Sequence, residues 1–306
     1  MDCRFRFSSI QNSRQQTMIY SILLVFLYCF TSESMHFNGG TIDWKPMDPH
    51  SNGTVVPIGI IQAYSWTYPA TTCAQDVPIT TPGRSNQNAY LTCVADCSTD
   101  GGYSASPVDI LTDCQTSSVS LGLMTSQRTV YRNLTADSHF TISHTGSAWI
   151  DLSYPPQKNL RWSLTASIDL RRRPDGIINT PPVASVVSPQ YAIVNQQTQI
   201  TVPVSDANSG DQIRCRWAVY TAPLTRRKRS KIVRSSSEPV DECGGICYPN
   251  TVPAGTTLSS SNCTISFTGT VPNTWYAVAI QVNRLKKVVE RSYLFSIFLC
   301  RRSKIS

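Results

Sequence analysis

Hydrophobic and polar residues alternate along several short stretches of this chain. In LRWSLTASIDL (160–170) the apolar residues occupy every second position, and polar residues fill the positions between them. TQITVPV (198–204) and TWYAVAIQV (274–282) show the same spacing of apolar residues, and no window of similar length shows a 3.6-residue stripe. A period of two predicts half-buried β-strands. Many such strands, separated by Gly, Pro, Asn and Ser clusters, predict an all-β fold of sandwich modules.

One apolar run near the start differs from these strands. MIYSILLVFLYCF (18–30) follows a segment with Arg4, Arg6 and Arg14 and precedes the small polar residues TSES. This order is typical of a secretory signal peptide. The run has about 13 residues, whereas a membrane-spanning helix needs ~20. We therefore predict a signal peptide over residues 1–34, removed near Ser34–Met35. The alternative is an uncleaved signal anchor.

A break in the pattern divides the rest of the chain. RRRPDGIINTPP (171–182) contains three prolines and a glycine and separates two strand-rich regions. Because proline cannot donate to a sheet and keeps its predecessor extended, we expect a stiff Pro-rich linker at 175–182. It would join β-sandwich domains at 35–174 and 183–282. The basic, atypical tail at 283–306 predicts either a replacement edge strand or a truncated or mistranslated gene end, and we favour the second.

Eight of the eleven cysteines form two groups of four with similar spacing. The groups are Cys73, Cys93, Cys97 and Cys114, separated by 19, 3 and 16 residues, and Cys215, Cys243, Cys247 and Cys263, separated by 27, 3 and 15. This predicts disulfides within each of two domains, which would be copies of a related module. Zinc is the weaker reading, because the spacing is unusual for it and no histidine lies nearby. Since strand residues four apart are too distant to bridge, the close cysteines of each group should pair outward.

Glycosylation signals agree with secretion. Asn52, Asn133 and Asn262 each begin an Asn-x-Thr acceptor sequence. The net charge of +8 is concentrated at the ends, because residues 35–282 hold 17 of the 27 Lys and Arg and 16 of the 19 Asp and Glu. A nearly neutral body argues against nucleic-acid binding, which needs a basic face.

The string LTRRKRSK (224–231) is the densest basic segment of that body. Arg226, Arg227, Lys228 and Arg229, followed by Ser230, fit the Arg-x-Lys/Arg-Arg requirement of furin-like proteases. The surrounding stretch shows no strand pattern, and exposed loops are where proteases act. We predict cleavage after Arg229. The alternative is a solvated loop that no protease cuts.

Enzyme signatures are missing from the sequence. The four histidines are His36, His50, His139 and His144, and the last two, five apart, would lie on opposite faces of a strand. No nucleophile elbow, HExxH pair, P-loop or dinucleotide fingerprint occurs. We therefore predict that the protein is not an enzyme.

One loop is a weak candidate for calcium. In SDANSGD (205–211), Asp206, Asn208 and Asp211 could offer oxygen ligands. The alternative is a turn whose Asp and Asn side chains bond to their own backbone. No other cofactor is expected.

The six tryptophans are expected to be core residues more than a sugar-binding platform, and Trp162 and Trp217 lie on strand patterns that should bury them.

Two segments resemble known extracellular modules. NTPPVASVVSPQYAIVNQQTQITVPVSDANSGDQIRCRW (179–217) resembles the start of cadherin-, PKD- or immunoglobulin-like β-sandwiches, and HFNGGTIDWKP (36–46) is similar to the opening of uncharacterised invertebrate ectodomain proteins. The resemblance covers roughly residues 35–282. It implies a secreted or cell-surface protein that acts in adhesion or recognition.

The sequence as a whole predicts two tandem disulfide-bonded sandwich modules after a signal peptide. The expected function is non-enzymatic binding or adhesion, in a secreted ectodomain or a fragment of a larger protein on the extracellular face of the plasma membrane. The partner would be an extracellular protein or glycan, with membrane contact only through the signal segment or a missing C-terminal region. A lectin-like carbohydrate-binding module is the alternative. A secreted hydrolase, which would need a pair of carboxylates, is a weaker one.

Overall fold

A computed structural model describes residues 36–78, 90–147, 149–153, 156–158, 160–185, 189–208, 210–220 and 240–285, together with the backbone of 291–302. The strands of the first half are β1 (Phe37–Pro46), β2 (Val55–Thr67), β3 (Val77–Pro78), β4 (Thr92–Ala95), β5 (Leu111–Ser118), β6 (Leu123–Thr135), β7 (His139–Gly146), β8 (Leu152–Ser153), β9 (Pro156–Gln157) and β10 (Trp162–Asp169). Two single-turn 3-10 helices follow β4, at Cys97–Thr99 and Tyr103–Ala105.

The second half continues with strands alone in the part of the chain that the structure describes. They are β11 (Val183–Ala184), β12 (Gln190–Ile193), β13 (Gln197–Thr201), β14 (Val204–Ser205), β15 (Gln212–Trp217), β16 (Thr257–Ser259), β17 (Thr264–Thr268), β18 (Trp275–Leu285) and β19 (Arg291–Arg302). The predicted all-β, disulfide-bonded sandwich architecture is confirmed.

The first half packs its strands around one hydrophobic core. Strands β3, β5, β6, β2 and β1 are neighbours in that order, and β10, β7 and β4 continue the same sheet, joined to β1 through β19. The long β2–β6 and β1–β2 pairs are antiparallel. The core of the first half includes large aromatic side chains: Phe37, Trp44, Trp66, Trp149 and Trp162. Phe37 stacks on Trp162 with 4.1 Å between ring centroids.

The second half has a separate core. Strands β12, β19, β18 and β15 are neighbours, and β13, β17 and β16 form a second, antiparallel sheet. The core includes Ile200, Val202, Phe267, Tyr276 and Val278. The tail supplies β19, which pairs antiparallel with β18 from Arg284↔Arg291 to Trp275↔Cys300. β19 also pairs with β12, β1 and β10, so its backbone has neighbours on both sides and is not the edge strand of the first alternative. A truncated or mistranslated gene end stays a prediction.

Strand β10 is buried on both faces, so the predicted half-buried pattern is wrong there. Leu164 and Ile168 face the core as expected, but Ser163 and Thr165 on the other face are also buried. The reason is contact with the second half. Ser163 Oγ donates to the backbone oxygen of Asp241 at 2.6 Å, and Gln281 Nε2 donates to Thr165 Oγ1 at 3.2 Å.

The predicted linker is packed against its surroundings. Arg172 and Ile178 form a β-bridge around a tight turn, in which Gly176 N donates to Arg173 O at 2.9 Å. Ile178 is buried in the first core, and its backbone N donates to Pro49 O at 2.8 Å. The two halves therefore meet through a packed segment as well as through β10 and β18.

Candidate functional site

A cleft of about 580 Å³ lies between the outer face of β1, β2 and β6 and the segment 180–185. Most of its lining side chains are hydroxyls, amides or small apolar groups, with a few larger rings from the core. The lining residues that face outward include Thr41, Asp43, Lys45, Ile61, Ala63, Ser65, Gln115, Thr125, Gln127, Thr180 and Val183.

The alternation of side chains along the strands explains why these residues face the cleft. On β1, Ile42 and Trp44 belong to the core. Successive side chains on a strand point to opposite faces, so Asp43 and its neighbours at 41 and 45 point away from the core. Ala63 is paired with Thr41 on β1 and with Gln127 on β6, which places all three side chains on the same outer face.

Asp43 is the unusual residue of this cleft. Its side chain is 9% exposed, and it makes no hydrogen bond or ion pair within the part of the chain that the structure describes. Burial raises the pKa of the Asp43 carboxyl to about 7. Lys45 also lines the cleft but is exposed. The cleft therefore holds one buried, unpaired acid beside a solvated ammonium group.

The sequence did not identify Asp43 as a site residue. Its position between Ile42 and Trp44 predicts an ordinary outward-facing strand residue. The cleft that it lines is formed in part by residues more than a hundred positions away, including Thr180 and Val183. No local pattern signals that contact.

The cysteines form a nested set of bridges in each half. Cys73 is bonded to Cys114 and Cys215 to Cys263, while Cys93 is bonded to Cys97 and Cys243 to Cys247. In both halves the first cysteine pairs with the fourth and the second with the third. The shared connectivity supports the hypothesis of two related modules.

The prediction that the close cysteines pair outward is wrong. It assumed an extended chain between them, but both segments turn back. Asp96 has a φ of 54°, and a 3-10 turn begins at Cys97, which brings Cys93 and Cys97 to a Cα separation of 5.8 Å. Gly244 has a φ of 61°, and the Cα atoms of Cys243 and Cys247 are 5.2 Å apart.

The side chains of the loop proposed for calcium bond to the loop itself and to neighbouring residues. The Asp206 carboxylate accepts a hydrogen bond from the backbone N of Asn208 at 2.7 Å, as the turn alternative predicts. The Asn208 side chain accepts one from Thr180 N, and Asp211 forms an ion pair with Arg173 at 3.1 Å. No cluster of three His, Cys, Asp or Glu side chains suited to a metal occurs among the described residues. Calcium binding at this loop stays a prediction.

The three glycosylation acceptors lie at the surface. Asn52, Asn133 and Asn262 are all exposed. Asn133 follows Gln127 by six residues on β6, so it lies on the same outer face at roughly 20 Å from that end of the cleft. A glycan there would leave the cleft accessible. The proposed cleavage residues Arg226, Arg227, Lys228 and Arg229 and the signal segment lie outside the described residues.

A stacked pair of aromatic residues has no signal in the sequence. Trp217, predicted to be buried, is only partly buried, because it lies at the end of β15 and stacks on Tyr248 with 4.3 Å between centroids and an interplanar angle of 7°. Tyr248 is 39% exposed. The two residues are distant in sequence, so composition gave no sign of the pair. Trp44, Trp66, Trp149 and Trp162 are core residues, as expected.

Several carboxylates surround Arg128 at the edge of the first half. Asp113 lies 2.7 Å from Arg128 Nη2, Asp109 lies 3.9 Å from Nη1, and Asp76 is also ion-paired with it. Hydrogen bonds from Arg128 hold the pKa of Asp113 below its usual value. The guanidinium of Arg128 lies between these acids. Its ion pairs therefore connect β6 to β5 and to Asp76, which lies near the Cys73–Cys114 bridge.

Comparisons with known proteins leave the family open. No family model matches the chain, and no curated protein matches it. Among solved structures, the chain is similar to the two tandem V-type regions of a v-region-containing chitin-binding protein, at 9% identity and a TM-score of 0.32, over 86% of this chain and 99% of that one. Within the described residues, no helix is both long and apolar enough to cross a membrane.

Proposed function

We propose that the protein is a non-enzymatic extracellular binding module and that the cleft on β1, β2 and β6 holds its ligand. The observation that carries this proposal is a cleft of about 580 Å³, a size suited to a small molecule or a side chain of a partner, with an unpaired buried acid in its wall. Structural residues seldom leave a buried carboxyl without a partner, because that arrangement destabilises the fold.

The lining supports binding more than hydrolysis. Asp43 is the one carboxylate among the described lining residues, and they include no histidine or cysteine. A glycoside hydrolase would need a second carboxylate within about 5–10 Å. The acids around Arg128 are already paired with it. The four disulfides and the exposed Asn-x-Thr sites support an oxidising, extracellular setting.

A variant that fills the cleft tests the proposal. The secreted protein is screened against glycans and against extracellular proteins, and each hit is re-measured with Ala63→Trp. The indole should occupy the cleft without entering the core and should weaken binding at least tenfold. Val55→Trp is the matched control, because Val55 is 52% exposed on the same strand and face. A ligand that binds both variants like wild type would rule out the cleft as its site.

Carbohydrate binding at the Trp217–Tyr248 pair is the second candidate, because partly exposed stacked rings can bind the apolar face of a sugar. A glycan hit that is lost with Tyr248→Ala, retained with Tyr248→Phe and unaffected by Ala63→Trp would assign sugar binding to the rings. Retention in Tyr248→Ala would exclude the pair.

A further inference from the structure

We infer that Asp43 is an anchor for a positively charged side chain, an arginine or lysine of a protein ligand, that enters the cleft. This inference rests on the proposed function, since it assumes that the cleft is the binding site. It adds the chemical class of the ligand and the residue that recognises it.

The first step concerns what the Asp43 carboxylate lacks. An ionised carboxylate only accepts hydrogen bonds and carries a charge that burial leaves uncompensated. Asp43 receives neither donors nor an opposite charge from the described residues. A neutral sugar could offer hydroxyl donors but would leave the charge in place. A guanidinium or ammonium group supplies both donors and charge, and a guanidinium can bind the two oxygens at once.

The second step concerns the other walls of the cleft. Ile61, Ala63 and Val183 line it with apolar surface beside the acid. Arginine and lysine carry an aliphatic stem below the charged group, and such stems commonly lie along apolar surfaces. The cleft therefore matches both parts of a basic side chain.

A metal ion fits less well than an organic cation. Hard cations such as calcium take six to eight oxygen ligands, usually several carboxylates. The described lining offers Asp43 alone as an acid, and its other titratable groups are Lys45 and the Tyr64 hydroxyl, which donates to Gln62 at 2.9 Å. Lys45 is exposed and forms no ion pair with Asp43, so it does not neutralise the carboxylate.

The raised pKa of Asp43 gives the inference a pH signature. With a pKa of about 7, much of the carboxyl is protonated at pH 6 and most of it is ionised at pH 8. A cation binds the ionised form, so its affinity should increase as the pH rises through 7. A neutral ligand that uses Asp43 as a donor would show the opposite trend.

The experiment compares two small probes of nearly the same shape, one charged and one neutral. Nα-acetyl-arginine amide and its neutral isostere Nα-acetyl-citrulline amide are titrated into the secreted full-length protein by ligand-observed NMR at pH 6 and pH 8. Wild type should bind the arginine probe about tenfold or more tightly than the citrulline probe at pH 8, with a smaller preference at pH 6. Asp43→Asn should remove the preference. Asp48→Asn, at an exposed acid just after β1, should keep it.

Equal binding of the two probes to wild type, or an arginine preference that survives in Asp43→Asn, would overturn the inference. If the preference is absent while Ala63→Trp still blocks a ligand from the screen, the inference fails and the proposed function stands. If the arginine preference persists in Ala63→Trp, the basic group binds elsewhere and the inference fails, while the proposed function is still decided by the effect of Ala63→Trp on the screened ligand.

Discussion

The two halves of the chain contain the same nested bridges, but the inner bridge has a different role in each. In the first half, Cys93 and Cys97 close a turn beside β7 in their own half, where Thr99 Oγ1 donates to His139 O at 2.6 Å. In the second half, Cys243 is fully buried in the core of the first half. One covalent pattern thus stabilises a local turn in one half and a contact between the halves in the other.

The inner loop of the second half contacts β10 and the residue just before it. Gly245 N donates to Arg161 O at 2.8 Å, and Ile246 is buried in the first core. Ala277 and Ala279 of β18 join the same core, while their strand neighbours at 276, 278 and 280 belong to the second one. The small alanine side chains let the halves approach closely. The inner loop of the second half therefore forms part of the contact between the halves, which the inner loop of the first half does not.

Removing the outer bridges should have the largest effect. Replacing Cys215 and Cys263 together by alanine should lower the free energy of unfolding by about 3–5 kcal/mol, and replacing Cys73 and Cys114 by about 2–3 kcal/mol. The sequence separations are similar, 48 and 41 residues, so the loss of covalent constraint should be nearly equal. Cys215 and Cys263 are buried whereas Cys73 is exposed, which adds a cavity cost to the first pair. Chemical denaturation measures both, and equal losses would contradict this account.

Two acids with the same exposure, 9%, provide the second test. Glu242 in the second half accepts hydrogen bonds from Arg216 at 2.7 Å on both oxygens, and Asp43 in the first half has no such partner among the residues that the structure describes. The folded-state pKa of Asp43, about 7, lies above its ordinary value of 3.8, so the folded state holds a proton that the unfolded state has lost between these pH values. Stability should therefore fall as the pH rises from about 4 to 7.

The variants of these acids should have opposite effects at pH 8. Each pKa unit corresponds to ~1.4 kcal/mol, so Asp43→Asn should raise the free energy of unfolding by up to roughly 4 kcal/mol at pH 8 and have little effect at pH 4. Glu242→Gln should lower it by about 1.5–3 kcal/mol at pH 8, because the charged hydrogen bonds of Arg216 are weakened. Denaturation curves of wild type and of the two variants at pH 4 and pH 8 measure these differences. An Asp43→Asn protein with the wild-type pH dependence would show that Asp43 is ionised throughout.

Local patterns in the sequence predicted much of the fold. The alternation in β10, β13 and β18 identified strands, and the fourfold cysteine groups identified the residues that form bridges. What the sequence could not show depends on contacts between the halves. Ser163 and Thr165 have the spacing of a solvent-facing row and are buried only because Asp241 and Gln281 pack on them. Asp43 is a similar case, since the segment 180–185 that lines the other side of its cleft lies far along the chain.

The disulfide error has a more local cause. Strand geometry places residues four apart too far from each other to bridge, but CGGIC contains a glycine that permits the positive φ a reversal needs. CVADC gives a weaker signal, because Asp96 takes the left-handed conformation without being glycine. Turn propensity at these two pentapeptides is compatible with the direct Cys93–Cys97 and Cys243–Cys247 bridges.

Alanine at a glycine of each half gives a smaller effect. Gly244 and Gly102 both have positive φ, 61° and 94°. A Cβ at Gly244 would lie 2.8 Å from the backbone oxygen of Arg161, whereas one at Gly102 meets nothing within 4 Å. Gly102→Ala should cost about 1–2 kcal/mol from conformation alone, and Gly244→Ala about 2–4 kcal/mol because it also separates the halves. Thermal unfolding should show the lower Tm for Gly244→Ala. A lower Tm for Gly102→Ala would show that the interface adapts easily.

The last prediction concerns the segment between the first and second cysteine of each half, and it involves no change in the fold. This interval is eight residues longer in the second half, 27 against 19, and contains Arg226-Arg227-Lys228-Arg229, whereas the first contains Arg84 as its one basic residue. A furin-like protease should therefore cut the second half alone, after Arg229. Cys215 precedes that point and its partner Cys263 follows it, so the two pieces should stay bonded. The Tyr220–Asp241 bridge and the β15–β18 pairing also hold the two sides together.

The secreted protein should run as one band on a non-reducing gel and as two on a reducing gel. Arg229→Ala should restore a single reduced band, and Arg84→Ala should leave two. An intact wild-type chain under reduction, from cells with active furin, would show that the basic string is not cut.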